Sequence, residues 1–266
     1  GVQTCALPIY PDQNPKDLEA FLDALNDKVE IGEDVVVLPG MVADSLEAAS
    51  PFENVHDKLL IDATTLVPTD PRSPDEPLEG SYNQPTPAWR QGTVASDPFD
   101  NLEAVEALPD VRQARMLRDN MLVVSTPVVG TPSPRTGQHE GDDAQEAQRI
   151  EQIIQLRNSI WQLDPDKNLR WLFITNDDLD MTHTKARRRL LWQLTARFDV
   201  GRGLTFDEGR DRLCWDATTP IPSEEHGVRR WPAVTLHDEE TLAKVAAHPE
   251  LKKYEWPPHL SFGGPE

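Results

Sequence analysis

The sequence DKLLIDATTLVP, at residues 57–68, occurs a second time as DRLCWDATTPIP at residues 211–222. The acid, the leucine, the Asp-Ala-Thr-Thr core and the closing proline coincide between the copies. Upstream, with a different offset, LNDKVEIG at residues 25–32 aligns with LTARFDVG at residues 194–201. Each copy therefore predicts a helix, a turn that ends at glycine, a strand and then Asp-Ala-Thr-Thr. Because a solenoid needs at least three stacked repeats, we interpret the pair as a duplicated lobe.

Composition limits the class of protein. The 266 residues are enough for one large or two ordinary domains, and the 24 prolines indicate much loop. A formal net charge of −20 repels phosphate backbones and anionic membrane surfaces, so we expect no nucleic-acid partner. No apolar run approaches the roughly 20 residues that a membrane helix requires. The two cysteines, Cys5 and Cys214, cannot build a disulfide framework, which favours a reducing, cytoplasmic setting.

The duplication and the composition together divide the chain into three parts. Residues 1–68 are interpreted as a truncated first lobe, residues 69–100 as a Pro-rich linker and residues 101–266 as a second lobe. The apolar run at residues 1–9 has no counterpart in the second copy. We therefore interpret it as sequence foreign to the lobe, with an exposed N-terminal strand as the alternative.

Periodicity predicts an α/β fold in which helices flank a parallel or mixed sheet. Apolar residues at helical spacing predict a helix at residues 17–28, and Gly32 then fits a left-handed C-terminal cap. Wholly apolar runs such as residues 35–38 predict strands buried on both faces. The second lobe alternates strand and helix in the way that builds βαβ units. Its predicted strands are residues 120–126 and 170–175, and its predicted helices are residues 102–108, 144–162, 185–198 and 238–247.

Two of these helices carry a predicted apolar face. In the helix at residues 144–162 the face comprises Ala147, Ile150, Ile153, Ile154, Ile160 and Trp161. In the helix at residues 185–198 it comprises Leu190, Leu191 and Leu194.

An acidic cluster follows the predicted strand at residues 170–175. It consists of Asp177, Asp178 and Asp180, with His183 three residues further on. Open α/β sheets place ligand sites at such strand ends, and oxygen ligands of this kind could hold Mg²⁺ or Mn²⁺. We favour the alternative, a solvated turn in which one acid caps the next helix.

The acids of the repeated sequence, Asp62 and Asp216, could act as general bases. We favour a structural role, in which each accepts hydrogen bonds from the backbone of its own turn, because a catalytic acid seldom needs to be kept in both copies. Cys214 lies in an apolar strand, which favours a buried, inert thiol over a nucleophile. Glycine-rich phosphate-binding motifs and the Gly-x-Ser-x-Gly elbow are absent. The residues alone therefore define no complete active site.

Several motifs together resemble the C-terminal region of UbiD-type decarboxylases. The aspartate-rich strand end of that family is similar to ITNDDLD at residues 174–180, and its following helix to LWQLTARFDVGR at residues 191–202. Both copies of Asp-Ala-Thr match a further motif. The family's Ala-Ser-Pro segment resembles DSLEAASP at residues 44–51, and its Arg-x-Trp-Pro resembles RRWP at residues 229–232. The doubled arrangement resembles the longer members of the family.

The resemblance implies a parent carboxy-lyase that removes CO₂ non-oxidatively from an aromatic or α,β-unsaturated acid, such as a precursor in ubiquinone or menaquinone biosynthesis. In that family prenylated FMN is the electron sink, held with a divalent Mn or Mg ion and a monovalent cation. The residues that hold these groups, and a Glu-Arg-Glu acid–base network, belong to an N-terminal flavin-binding domain that we expect to be missing here. We therefore assign no catalytic, cofactor-binding or metal residue and expect this segment to bind none of these groups.

The resemblance also implies that this region mediates homo-oligomerisation and closes over the flavin domain. Residues 177–180 and the loop at residues 130–141 would then be interface or hinge elements, and the isolated segment would be inactive. Two alternatives stay open. One is a non-catalytic α/β dimerisation module built on the duplicated lobes, and the other is a metal-dependent hydrolase built on the acidic cluster.

Overall fold

The structure, a computed structural model, describes residues 5–6, 18–42, 50, 52, 54–63, 97–127, 142–177, 181, 186–228 and 239–248. The helices in these ranges are α1 Leu18–Lys28, α2 Ile31–Asp34, α3 Leu102–Glu106, α4 Asp143–Gln162, α5 Ala186–Ala196, α6 Val200–Gly203 and α7 Glu239–Ala247. The strands are β1 Cys5–Ala6, β2 Val35–Val42, β3 Val55–Ile61, β4 Gln113–Arg118, β5 Met121–Thr126, β6 Trp171–Asn176, β7 Leu204–Phe206 and β8 Leu213–Asp216. Most of the predicted linker lies outside the described ranges.

A five-stranded sheet with flanking helices confirms the predicted mixed α/β fold. Its order is β4-β5-β6-β8-β7, with parallel pairing among β5, β6 and β8 and antiparallel pairing of β4 and β7 at the edges. Every residue of β5 and β6 is buried. Strands of this kind read as continuous apolar runs because both of their faces are covered.

The two faces of this sheet meet different layers. Along β6, Trp171 and Phe173 belong to one hydrophobic cluster, while Leu172 and Ile174 belong to another, because successive strand side chains point to opposite faces. Helices α3 and α4 supply apolar side chains to the cluster of Leu172. Helices α1 and α5 and a second, smaller sheet supply them to the cluster of Trp171.

The smaller sheet repeats part of the larger one. Its order is β1-β3-β2, and the corresponding edge of the large sheet is β6-β8-β7. In each, the first pair is parallel and the second antiparallel. Along the chain, the elements β1, α1, α2, β2 and β3 (the first copy) follow in the same order as β6, α5, α6, β7 and β8 (the second copy). The repeated sequence is therefore a repeated topology.

The prediction that the N-terminal apolar run lacks a counterpart is wrong for Cys5 and Ala6. Cys5 pairs with Leu59 in the parallel ladder of the small sheet, as Trp171 pairs with Leu213 in the large sheet. Leu59 and Leu213 are equivalent leucines of the repeated sequence. Sequence comparison missed this equivalence because a backbone ladder requires no shared side chains.

The predicted left-handed cap at Gly32 is also wrong. Gly32 lies inside α2 and its counterpart Gly201 inside α6, and neither has a positive φ angle. In each copy an extended residue, Glu30 or Asp199, precedes the short helix. A helical turn thus takes the place of the predicted glycine turn and leads directly into β2 or β7.

The hairpin that follows this turn is longer in the first copy. Twelve residues separate β2 from β3, whereas six separate β7 from β8, and β2 itself has eight residues against three in β7. This insertion accounts for the changed offset between the copies. The β2–β3 hairpin also carries most of the exposed large apolar side chains of the described residues, namely Val36, Leu38, Met41, Val42, Phe52 and Val55.

The two copies pack against each other in one apolar core. Leu25 and Leu59 from the first copy share a cluster with Leu194 and Trp215 from the second. The indole of Trp215 stacks on Phe198, with 4.2 Å between ring centroids, and its N–H donates to the carbonyl of Leu194 at 3.0 Å. Trp215 thus buries a large apolar ring while its N–H keeps a hydrogen-bond partner.

Arginines of the second half of the chain close this interface by binding backbone carbonyls of the first copy. Arg170, which directly precedes β6, donates to the carbonyls of Asn26, at 3.1 Å, and Val29. Arg210 donates to the carbonyl of Val35 at 3.2 Å. The carbonyls at the end of α1 lack helical partners, so these contacts anchor the first copy. None of the helices in the described ranges is long and apolar enough to cross a membrane.

We expect opposite effects of alanine at two helical glycines. A Cβ on Gly203 would lie 2.7 Å from the carbonyl oxygen of Asp216 and 2.8 Å from the Phe198 ring, so Gly203→Ala should destabilise the fold by about 1–3 kcal/mol. A Cβ on Gly32 would have only ordinary contacts, at 3.4 Å or more. Since alanine is the better helix former, Gly32→Ala should leave the free energy of unfolding unchanged or slightly raised. Urea unfolding measures the stability of both variants. A clear loss of stability in Gly32→Ala would instead support a left-handed cap at Gly32.

Candidate functional site

The acidic cluster lies only partly within the described residues. Asp177 follows β6 directly, and its side chain is exposed. Asp178, Asp180 and His183 lie outside the described ranges, so the metal-site hypothesis stays a prediction. Among the described residues, no group of three or more His, Cys, Asp or Glu side chains could hold a metal ion.

Asp216, at the end of β8, has the structural role that the sequence favours. Its Oδ1 accepts hydrogen bonds from the backbone N–H of Thr218 at 2.9 Å and from the Thr218 hydroxyl at 2.6 Å. Its Oδ2 accepts from Arg149 at 2.9 Å. Both carboxylate oxygens therefore hold the turn and tie it to α4. In the first copy, the N–H of Asp62 donates to the carbonyl of Asp34 at 2.9 Å, and residues 64–68 lie outside the described ranges.

The polar partner of this turn is a buried ion pair on α4. Arg149 donates to both carboxylate oxygens of Glu146 at 2.8 Å, and these two side chains are 3% and 0% exposed. Glu146 also accepts the backbone N–H of Ile221 at 2.8 Å. Although burial alone would lower it, the Asp216 and Glu146 carboxylates raise the pKa of Arg149. Buried charges are tolerated when they are paired and hydrogen-bonded in this way.

Sequence reasoning missed this pair because it placed the buried face of α4 too far around the helix. The buried positions are Glu146, Arg149, Ile153, Leu156 and Ile160, whereas Ala147 is exposed. The spacing of three and four residues was visible, but two of the five members are charged. A charged pair three residues apart, aligned with isoleucines, is the signal that could have identified them. On α5, Leu191 is likewise exposed, while Leu190 and Leu194 are buried.

A second side chain at the sheet edge holds the same turn. The amide oxygen of Asn176, the last residue of β6, accepts the backbone N–H of Thr219 at 2.7 Å. Asn176 is fully buried. It belongs to the segment that resembles the aspartate-rich strand end, and here it links two neighbouring strand ends.

A cavity of about 240 Å³ opens beside α4, over the β7–β8 edge of the sheet. It is lined by three arginines, by apolar side chains of α4 and by polar groups of β7, β8 and the following loop. The arginines are Arg149, Arg157 and Arg202, the apolar side chains are Ile150, Ile153 and Ile154, and the remaining lining residues are Gly203, Thr205, Cys214, Asp216 and His226. Three of the lining residues are thus arginines, in a chain with a formal net charge of −20.

One lining residue, His226, is held by a hydrogen-bonded relay. The hydroxyl of Ser223 donates to the carboxylate of Asp143, at the start of α4, and this bond lowers the pKa of Asp143. Ser223 Oγ lies 2.9 Å from His226 Nδ1. Because the only hydroxyl proton of Ser223 goes to Asp143, Nδ1 must be the donor. This arrangement fixes the ring and leaves Nε2 as its second polar atom.

Cys214 forms part of the cavity floor, but its thiol is poorly reactive. The residue is 2% exposed, and burial, followed by the charge of Asp216, raises its pKa. The predicted burial of the cysteine is confirmed, and because the thiolate is the nucleophilic form, the raised pKa favours the predicted inert thiol.

Fold and site together define a mixed α/β protein in which the repeated acid of the second copy, Asp216, holds a turn. Comparison with known proteins adds a local similarity. A phenolic acid decarboxylase of Escherichia coli O157:H7 is 37% identical to this chain over 101 residues, which are 36% of the chain and 20% of that enzyme. The chain thus matches about a fifth of the length of this relative. No family model and no solved structure matches.

We expect Arg149→Met to destabilise the fold strongly. It leaves the Glu146 carboxylate buried with its ion-pair partner removed, and breaking a buried pair from one side typically costs about 3–5 kcal/mol. The double variant Glu146→Gln/Arg149→Met removes both charges and should recover a large part of that loss. Urea unfolding is the measurement, with Lys244→Met on the exposed face of α7 as control. Equal stability of the single and double variants would contradict a buried charge pair.

Proposed function

We propose that this chain is the C-terminal part of a UbiD-type carboxy-lyase, acting in the cytoplasm on an aromatic or α,β-unsaturated carboxylic acid such as a quinone precursor. In this proposal the chain comprises two related lobes joined by the linker at residues 69–100, and it assembles the enzyme and closes over a separate flavin-binding domain. The observation that carries the proposal is the 37% identity to a phenolic acid decarboxylase over 101 residues. The order of the motifs at residues 174–180, 191–202 and 211–222 supports it.

The chemistry of the described residues agrees with a supporting role. The acid that the repeat keeps, Asp216, spends both carboxylate oxygens on its turn and on Arg149. The cavity beside α4 also does not fit prenylated FMN. The polar groups of the 240 Å³ cavity are chiefly arginines, whereas the family holds its cofactor with Asn, His and Glu. The cavity is moreover smaller than the 300–1,000 Å³ typical of small-molecule sites, so we assign no step of decarboxylation to the residues that line it.

Grafting tests the proposal directly. We expect the phenolic acid decarboxylase of Escherichia coli O157:H7 to keep its oligomeric state and its CO₂ release when its matched 101-residue segment is replaced by that of this chain. Deletion of the same segment is the control and should abolish both. The 266-residue chain alone should neither retain prenylated FMN on gel filtration nor release CO₂ from a phenolic acid. A chimera as inactive as the deletion, or tight flavin binding by the chain alone, would contradict the proposal.

A second candidate function is a non-catalytic dimerisation module, and the exposed β2–β3 hairpin favours it. β2 lies at the edge of the small sheet, and its eight residues carry no charge. Edge strands are normally protected by charges or by a covering element. Val42 and Phe52 are 79% and 67% exposed, and contiguous apolar surface of this kind marks interaction sites. In this alternative, the hairpin of one molecule pairs with the same hairpin of another molecule of this protein.

We expect the wild-type chain to be a dimer or larger oligomer by light scattering at about 100 µM, since apolar surface drives association. Val42→Asp/Phe52→Asp should shift it to the monomer mass, because each buried carboxylate would be uncompensated. Val245→Asp, at a 41% exposed valine of α7, is the matched control and should leave the mass unchanged. A monomeric wild type would rule out both the module and the assembly role.

A further inference from the structure

We propose that the cavity between α4 and the β7–β8 edge is a binding site for a small organic anion that carries one carboxylate on a short apolar body. Asp177, the described member of the acidic cluster, is not among the residues that line this cavity. The inference does not depend on the proposed decarboxylase relationship, because it concerns binding by this chain alone.

The arginines supply the anion-binding end. Arg202 enters from α6, where its Nη1 donates to the carbonyl of Gly227 at 3.3 Å and its Nε lies 4.0 Å from Asp199 Oδ1. Burial lowers the pKa of Arg202, and so does the guanidinium of Arg149, whereas the carboxylates of Asp199, Glu146 and Asp216 raise it. Arg149 already donates to Glu146, Asp216 and Thr218, so Arg157 and Arg202 are the lining arginines that would hold the ligand. Their planar donor forks match the two oxygens of a carboxylate.

Asp216 is the one carboxylate among the residues that line the cavity, and its hydrogen bonds leave other donors of the wall for this ligand. Asp216 already accepts hydrogen bonds from Arg149 and from Thr218 through both oxygens. Arg157 stands at the other side of the wall, where its guanidinium lies 5.2 Å from the Trp161 ring and donates to Asn158. Arginine has five N–H donors, so these contacts do not exhaust its capacity.

The rest of the wall sets the shape of the ligand. Ile150, Ile153 and Ile154 line the α4 side of the cavity, and apolar surface of this kind favours a hydrocarbon body over a second charged group. The volume of about 240 Å³ is just below the usual range for small-molecule sites, which restricts the body to about one ring or a short chain. Inorganic phosphate would leave the isoleucine wall without a contact.

His226 adds a polar group of fixed orientation. Its Nδ1 is held by Ser223, which is itself held by Asp143, so Nε2 is the nitrogen that remains for a ligand. Pockets that bind small molecules combine an apolar wall with a few oriented polar groups. The arginines, the isoleucines and this histidine meet that description, whereas a cavity formed by chance packing needs no such relay.

Benzoate tests the inference as a probe with one carboxylate and one ring. Isothermal titration calorimetry on the full 266-residue chain should show saturable binding at one site. Benzyl alcohol, which has the ring without the charge, should bind at least tenfold more weakly. Arg202→Gln removes the anion-binding group, and Thr205→Phe fills the cavity from the edge strand β7. Each should weaken benzoate binding at least tenfold, while Lys244→Gln, on α7, should change it less than twofold.

Melting temperatures of the variants show whether they fold. If Arg202→Gln does not fold, Thr205→Phe still tests the site. Benzoate that fails to saturate, or that binds equally well to Thr205→Phe, would overturn the site. Inorganic phosphate that binds more tightly than benzoate would overturn the apolar body of the ligand. Since no flavin, substrate or turnover enters the measurement, its failure is distinguishable from failure of the decarboxylase graft.

Discussion

The contact between the two copies of one topology is the constraint on which the described fold depends. The small sheet has only three strands, and so few strands need a further apolar layer to be stable. That layer comes from the second copy, whose Trp215, Phe198 and Leu194 share a core with Leu25 and Leu59. The contact also positions Arg170 beneath the open carbonyls at the end of α1. The first copy is thus completed by the second within a single chain.

The opposite face of the large sheet is organised by charge as well as by apolar contact. The buried Glu146–Arg149 pair of α4 needs further hydrogen-bond partners at the sheet. The turn of Asp216 and Thr218 supplies them. The pair therefore fixes the height of α4 along the sheet. α4 packs through its isoleucines against the interior strands, and the space left over the β7–β8 edge becomes the cavity. The ion pair thus connects the turn to the helix that lines the cavity.

This arrangement clarifies what the repeated sequence does. An acid preserved in two copies suggests chemistry, but in the second copy its oxygens hold a turn, as backbone-binding aspartates commonly do. The local similarity to a phenolic acid decarboxylase is compatible with an Asp216 that holds a turn, if the chemistry of the parent enzyme occurs elsewhere. The groups whose arrangement suggests ligand binding are instead Arg202, Arg157 and His226, which lie in three separate segments of the sequence.

The sequence by itself determined the elements with strong local patterns. The duplication, the apolar runs of β5 and β6, the long helix α4 and the inert Cys214 were all predictable, because periodicity and composition act over a few neighbouring residues. The edge strands β4 and β7 were not, since β4 is partly exposed and polar and β7 has three residues. Only the tertiary structure decided that β1 is the counterpart of β6, that Glu146 and Arg149 lie inside, and that three arginines face one cavity. Those outcomes depend on which faces meet across the chain, and long-range packing leaves no periodic signal in the local sequence.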